Sequence, residues 1–247
     1  MSKEQVSEQE ELAADAVKVE VRTTADGSVT LYVPALNEHY HSTHGARQES
    51  MHVFIEAGLR PLLVAGGSSY ARPWRILEVG LGTGLNALLT LQANQQAPTE
   101  SFAEYDALET FPLPPAVTAA LRPEWDQQGA WLGRHFEWLH AAPWDMPVEM
   151  TPWFTIQKMQ QSLLTAHLPA SRYHLIYFDA FAPEKQPELW TEEVFTKLYA
   201  AAAPGAVLVS YCAQGQFRRN LRAAGWLTEK LPGPPGKREM TRARKAV

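Results

Sequence analysis

Cysteine is nearly absent from this chain. Cys212 stands alone in 247 residues, so no intrachain disulfide can form. It closes an apolar run, Ser210-Tyr211-Cys212-Ala213, and reads as a buried thiol. Long hydrophobic runs are also missing. The longest apolar region, Leu198 to Ala213, is broken at Pro204-Gly205 and is too short to cross a bilayer. The N-terminus, MSKEQVSEQEELAADA, is acidic and has no secretory apolar stretch. A soluble, cytoplasmic protein with no membrane partner is expected. Excess positive charge is lacking too: the net charge of −5 argues against a general nucleic-acid binder.

What is present is enough apolar residue, 45%, for one sizeable core, and one domain with additions is expected. Charge is unevenly spread. Residues 1–20 carry −4, whereas residues 214–247 hold nine Lys and Arg against two Glu. A basic end on an acidic protein suggests either a local anionic partner or a plain solvated surface.

Residues 1–16 read as a flexible leader and 17–72 as a hairpin and helix extension. Residues 73–247 read as the core. Val17–Arg22 and Val29–Val33 alternate apolar and polar residues around Ala25-Asp26-Gly27-Ser28, which predicts a β-hairpin. His44 to Leu63 predicts a helix. Beyond it, strands are predicted at Trp74–Val79, Tyr105–Leu108, Phe154–Met159, Tyr173–Phe178, Ala206–Tyr211 and Trp226–Leu231. Helices are predicted at Leu85–Leu91, Pro114–Leu121, Thr191–Ala202 and Gln214–Ala224. The Trp- and Pro-rich stretch 123–170 reads as an insertion around Phe154–Met159. The alternation predicts a Rossmann-like α/β fold: a mostly parallel sheet with helices on both faces and an N-terminal β-hairpin addition.

Three motifs carry chemistry. Glu78-Val79-Gly80-Leu81-Gly82-Thr83-Gly84 lies between a strand and a helix. Its glycines permit a tight turn and close approach of a ligand to backbone N–H groups, although the pattern also fits a dinucleotide site. Glu109, 25 residues beyond Gly84, ends the second core strand. A carboxylate there can accept both ribose hydroxyls of a nucleoside cofactor, which by itself does not separate adenosylmethionine from NAD. Asp179-Ala180-Phe181-Ala182-Pro183 follows the strongest strand, where open α/β sheets bind ligands. Asp179 could instead cap the next helix.

Longer stretches resemble the methyltransferase module of the MnmC family, which finishes 5-methylaminomethyl-uridine at the tRNA wobble position. They are Tyr40 to Ser50, Gly80 to Asn86, Asp179 to Trp190, and Pro232 to Met240. The resemblance covers residues from about 17 onward. It implies a class I methyltransferase fold and S-adenosyl-L-methionine as cofactor. On this reading Tyr40, Ser42, Gly45 and Glu49 fold over the cofactor. Glu78, Gly80, Gly82, Thr83, Gly84, Asn86 and Glu109 bind it along the sheet edge. Asp179 and Phe181 face the reacting amine. Related methyltransferases often place an acid where this chain has Lys158-Met159-Gln160-Gln161-Ser162; here the carbonyl of Gln160 or Gln161, or the Ser162 hydroxyl, can accept the adenine amino group instead.

Bifunctional members carry an FAD-dependent oxidase domain, for which this chain has no room; a stand-alone methyltransferase without flavin chemistry is expected. The implied partner is a tRNA anticodon loop, with other tRNA wobble-uridine modification enzymes as further partners. Lys237, Arg238, Arg218 and Arg219 are the expected tRNA contacts. His39, His41 and His44 near Glu49 lack a zinc spacing, and no metal is expected. Open alternatives are methylation of a small amine or protein, a spermidine-synthase-like aminopropyltransferase, and a non-catalytic nucleic-acid-binding relative.

Overall fold

The computed structural model describes residues 18–66, 68–69, 72–97 and 101–247. The expected leader and the first residue of the expected hairpin lie outside the described residues.

The chain begins with a small antiparallel sheet of β1 (Glu20–Thr23), β2 (Val29–Val33) and β3 (Glu38–His39). The turn between β1 and β2 is closed by Asp26, whose Oδ1 accepts the Ser28 N–H at 3.1 Å. Three consecutive helical segments follow: α1 (Ala46–Ser50), the π-helical α2 (Met51–Leu59) and α3 (Arg60–Ala65). Val53, Phe54, Ile55 and Leu59 bury the face that packs on the main sheet.

The main sheet has eight strands in the order β10-β11-β9-β8-β4-β5-β7-β6. Its centre is parallel: β4 (Trp74–Val79) pairs with β5 (Ala103–Leu108) and β8 (Tyr173–Phe178). β7 (Phe154–Met159) and β9 (Ala202–Ser210) flank these. The central strands read as nearly continuous apolar runs because both faces are covered. Ile76, Tyr105, Leu175 and Tyr177 face one core, with α1–α3, α4 (Leu85–Gln95), α5 (Pro115–Gln127) and α6 (Ala130–Ala141). Leu77, Leu108, Ile176 and Phe178 face the other, with α7 (Glu192–Ala201) and α8 (Gly215–Ala223).

Two sequence expectations are corrected. The stretch 123–170 holds more than one strand. Its first residues finish α5, then α6 forms, and β6 (Pro147–Thr151) pairs antiparallel with β7. Leu132, Phe136 and Leu139 give α6 a buried stripe, and Trp125 stacks on Phe136 at 5.8 Å. The scattered prolines hid this periodicity; Pro123 even lies inside α5, where it removes a backbone donor. The second correction is β11 (Glu239–Arg244), which runs antiparallel between β9 and β10 (Leu227–Pro232). Its alternating Arg residues read as a charged tail, whereas Met240, Thr241 and Ala243 are fully buried.

Candidate active site

β4 connects through α4 to β5 on one side, while β8 lies on the other side of β4. This reversal of strand order opens a crevice at the carboxyl ends, where ligands bind in such sheets. Three loops meet there. Asp179 N–H donates to the Val79 carbonyl at 3.0 Å, Gly80 N–H to Leu108 at 3.0 Å, and Glu109 N–H to Met159 at 3.0 Å. The strand ends are thereby locked side by side, which sets Glu109, the glycine turn and Asp179 around one space.

That space is a cavity of about 740 Å³. Gly80 and Gly82 form part of its floor, with φ of 89° and 53°. A Cβ on Gly80 would sit 2.8 Å from the Asp179 carbonyl oxygen, and one on Gly82 would sit 2.9 Å from the Tyr40 ring. Glycine is therefore required at both for conformation and for space. Tyr40 and Phe181 meet edge to face at 5.1 Å as an aromatic wall.

Carboxylates surround the cavity with unusual density. Glu109 accepts the Gly82 N–H at 2.9 Å on Oε2 and the Phe111 N–H at 2.8 Å on Oε1. Burial nevertheless holds its protonation equilibrium above the ordinary glutamate range. Asp179 is pushed up to about 7, chiefly by burial and against the hydrogen bond from Asn86. Glu49 is buried; its Oε1 accepts from Lys237 Nζ at 2.7 Å, and its Oε2 has no partner among the described residues. The Tyr40 hydroxyl is pushed to higher pH by burial and then by the Glu109 charge.

Tyr40, Ser42, Glu49, Gly80, Gly82, Glu109, Gln161, Asp179, Phe181 and Lys237 all line the cavity. Other expected site residues lie behind or beside it. Glu78 has no accessible surface; its Oε1 takes one Asn86 N–H at 2.9 Å, while Asp179 Oδ2 takes another at 2.7 Å. Asn86 is thus a buried wedge between two acids, and burial first, then Asp179, drives Glu78 well above its usual range. Glu78 and Asn86, both expected at the cofactor, are buried behind the residues that line the cavity. Thr83 is buried and offers its carbonyl to His140 Nε2 at 3.1 Å. Gly84 lets α4 start against Leu139, 2.6 Å from where a Cβ would lie. Gly45 packs on Asp26. Gln160 is exposed and outside the cavity, its N–H on Asp145, which leaves Gln161 facing the space.

Residues 153–246 match the model of a family described as S-adenosyl-L-methionine-dependent methyltransferase. A protein of Magnetococcus marinus named tRNA 5-methylaminomethyl-2-thiouridine biosynthesis bifunctional protein MnmC is 33% identical over 224 residues, 86% of this chain and 32% of that protein. The same-named protein of Pseudomonas fluorescens is 32% identical over 210 residues, 82% of this chain and 31% of its own. The chain thus spans about a third of the length of the curated relatives it matches. Among solved structures, MnmC2 from Aquifex aeolicus aligns with a TM-score of 0.71 at 23% identity, over 94% of this chain and 72% of that one. Spermidine synthase from Thermotoga maritima aligns with 0.55 at 12% identity, over 94% and 69%, and shares the fold.

The C-terminal part of the chain, residues 153–246, belongs to the S-adenosyl-L-methionine-dependent methyltransferase family, and most of the chain is similar to part of proteins named MnmC. The chain is an S-adenosyl-L-methionine-dependent methyltransferase with the expected Rossmann-like core. Among the described residues, no helix is long and apolar enough to cross a membrane.

For a methyltransferase of this family the basic end behaves unexpectedly. Arg218, expected as a tRNA contact, is 4% exposed and bonds Glu239 at 3.0 Å and Thr241 at 3.0 Å. Arg242 and Arg244 both pair with Glu229, and Lys245 holds the carbonyls of Tyr199 and Ala202. Lys237 turns into the cavity. Arg219 and Arg238 stay exposed. Sequence reasoning missed Tyr211, which lines the cavity from the end of β9 and donates its hydroxyl to the Ala180 carbonyl at 2.9 Å. It also missed Phe111, an exposed aromatic on the cavity rim, whose signal was its place two residues after Glu109.

Proposed function

We propose that this methyltransferase acts on the primary amine of 5-aminomethyl-uridine, with or without 2-thiolation, at the tRNA wobble position. The product is the 5-methylaminomethyl base. The observation that carries the reading is Asp179, a desolvated carboxyl that titrates near 7 in an aromatic-walled cavity. The names of the relatives support the tRNA substrate.

The cavity suits the cofactor. Glu109 is pinned by two backbone donors and keeps lone pairs for ribose hydroxyls. The glycine floor would admit close approach. Glu49 Oε2, buried and unpartnered, calls for an N–H donor, and a bound amino group would supply one. S-adenosyl-L-methionine contributes an electrophilic methyl carbon on a sulfonium. The remaining work falls to the protein. Asp179 takes a proton from the substrate ammonium and orients the neutral nitrogen by accepting an N–H bond. Tyr40 and Phe181 exclude water. Holding two reactants in line is worth roughly 7–11 kcal/mol of barrier. An unstacked anticodon base would enter past Phe111, with Arg219 and Arg238 on phosphates. A substrate that already bears the amine implies partner enzymes that build or unmask it on the same uridine.

The test is nucleoside mass spectrometry of tRNA carrying 5-aminomethyl-2-thiouridine after incubation with the protein and methyl-labelled cofactor. One labelled methyl on that nucleoside is expected. Label on another nucleoside, or none, overturns the reading.

A further inference from the structure

Lys237 sits in the Pro- and Gly-rich loop between β10 and β11, yet its ammonium lies inside the cavity. Nζ is 2.7 Å from Glu49 Oε1 and 4.3 Å from the Tyr211 ring centroid. Glu49 comes from α1 and Tyr211 from the end of β9, so three distant segments converge on this one charge. Asp179 from the end of β8 and Cys212 after β9 also feel it. Glu38 of β3, Lys185 and Glu188 line the same cavity, and the His44 ring packs on Gly236 next door.

An amine acceptor poses an electrostatic problem that the carboxylates alone make worse. Glu49 and Asp179 would hold a substrate ammonium in its charged, non-nucleophilic state. A fixed cation among them opposes this, because like charges disfavour ionisation of a nearby amine.

We propose that Lys237 is a positioning residue for methyl transfer: paired with Glu49 and resting on Tyr211, it supplies the fixed positive charge that keeps the acceptor amine neutral beside Asp179. This rests on the amine-methylation reading above. Before transfer, the acceptor ammonium gives its proton to the Asp179 carboxylate. The nitrogen lone pair then forms the N–C bond as the C–S bond breaks, leaving a thioether and a secondary ammonium. Lys237 neither gains nor loses a proton. Its removal has two effects of one sign. It unmasks the Glu49 charge, and it withdraws the cation that lowers the Asp179 equilibrium. The first moves deprotonation of the substrate to higher pH and the second moves that of Asp179, its acceptor, the same way.

The experiment compares wild type with Lys237→Met, Lys237→Gln and Lys237→Arg in two measurements. The first is calorimetric affinity for sinefungin, which carries an ammonium where the sulfonium methyl would be, against adenosylhomocysteine, which carries none. The proposal expects loss of the charge to raise the preference for sinefungin about tenfold. The second is the single-turnover rate on tRNA against pH. Its rising limb is expected to move up by about one unit in the Met and Gln variants and to return in the Arg variant. Gln serves if Met does not fold. An unchanged ligand preference with an unmoved limb overturns the proposal, whether the rate loss is equal at all pH values or confined to tRNA affinity. If wild type does not methylate aminomethyl-uridine, the amine reading fails instead. The sinefungin preference then decides the charge effect of Lys237 by itself.

Discussion

The acidic rim of the cavity and the basic C-terminal hairpin are both dense in charge, and the fold treats them oppositely. In and around the hairpin, Arg242 and Arg244 of β11 and Arg218 of α8 each meet a carboxylate, and Lys245 just after β11 meets two backbone carbonyls. At the rim, Glu109 and Asp179 are half-buried, with N–H donors but no direct cation among the described residues, and one Glu49 oxygen has no partner among them. Satisfied charges tie the two hairpin strands to each other and β11 to α8. Under-satisfied ones remain available to a ligand. A count of basic residues in sequence does not register which of those charges are already used.

Four variants can break or sharpen that contrast. The largest effect is expected at Asp179→Asn, which keeps the size but removes the proton acceptor. Single-turnover methylation should fall by about 10²–10⁴-fold with tRNA affinity unchanged. Equal rates would move the chemistry elsewhere. Next is Glu109→Ala, which should weaken adenosylhomocysteine binding by about 1.5–3 kcal/mol in calorimetry. A 2′-deoxy analogue should lose its disadvantage in that variant; if wild type and variant discriminate equally, Glu109 is not the ribose acceptor. Third, Arg218→Ala should cost about 1–3 kcal/mol of folding stability in denaturant titration, because buried hydrogen bonds are lost. A variant as stable as wild type but poor at tRNA binding would reverse the assignment of Arg218. The smallest effect is expected for Arg219→Ala with Arg238→Ala. The logarithmic salt slope of tRNA binding should fall by about 0.7–0.9 per lost phosphate contact, with cofactor affinity intact. An unchanged slope would leave the exposed arginines as solvated surface.

Legibility in the sequence followed locality. The glycine turn, Glu109 and Asp179 could be placed because each follows an apolar strand directly, and a strand end fixes where its next residues go. The hairpin Val29–Val33 could be placed because Gly27 marks its turn. The Asn86 wedge between Glu78 and Asp179 was out of reach, since spacing along the chain does not tell a residue facing the cavity from one sealed beneath it. Lys237 was read as a docking charge because its partner Glu49 lies 188 residues away. The helix α6 was hidden by tryptophans and neighbouring prolines, yet it braces the site: His140 holds Thr83, and Lys158, lowered to about 8 by burial, donates to the His140 carbonyl at 3.2 Å.

The central claim is that Asp179 receives the proton that frees the attacking amine. The most direct measurement is the single-turnover rate between pH 5.5 and 9.5, with cofactor and enzyme saturating, for wild type and Asp179→Asn. With its equilibrium near 7, Asp179 is protonated below that pH and unable to accept. The wild-type rate should therefore rise about tenfold per pH unit below 7 and level off above it, while Asp179→Asn stays slow without that limb. A wild-type profile flat through pH 7, or the same rising limb in both proteins, contradicts the account.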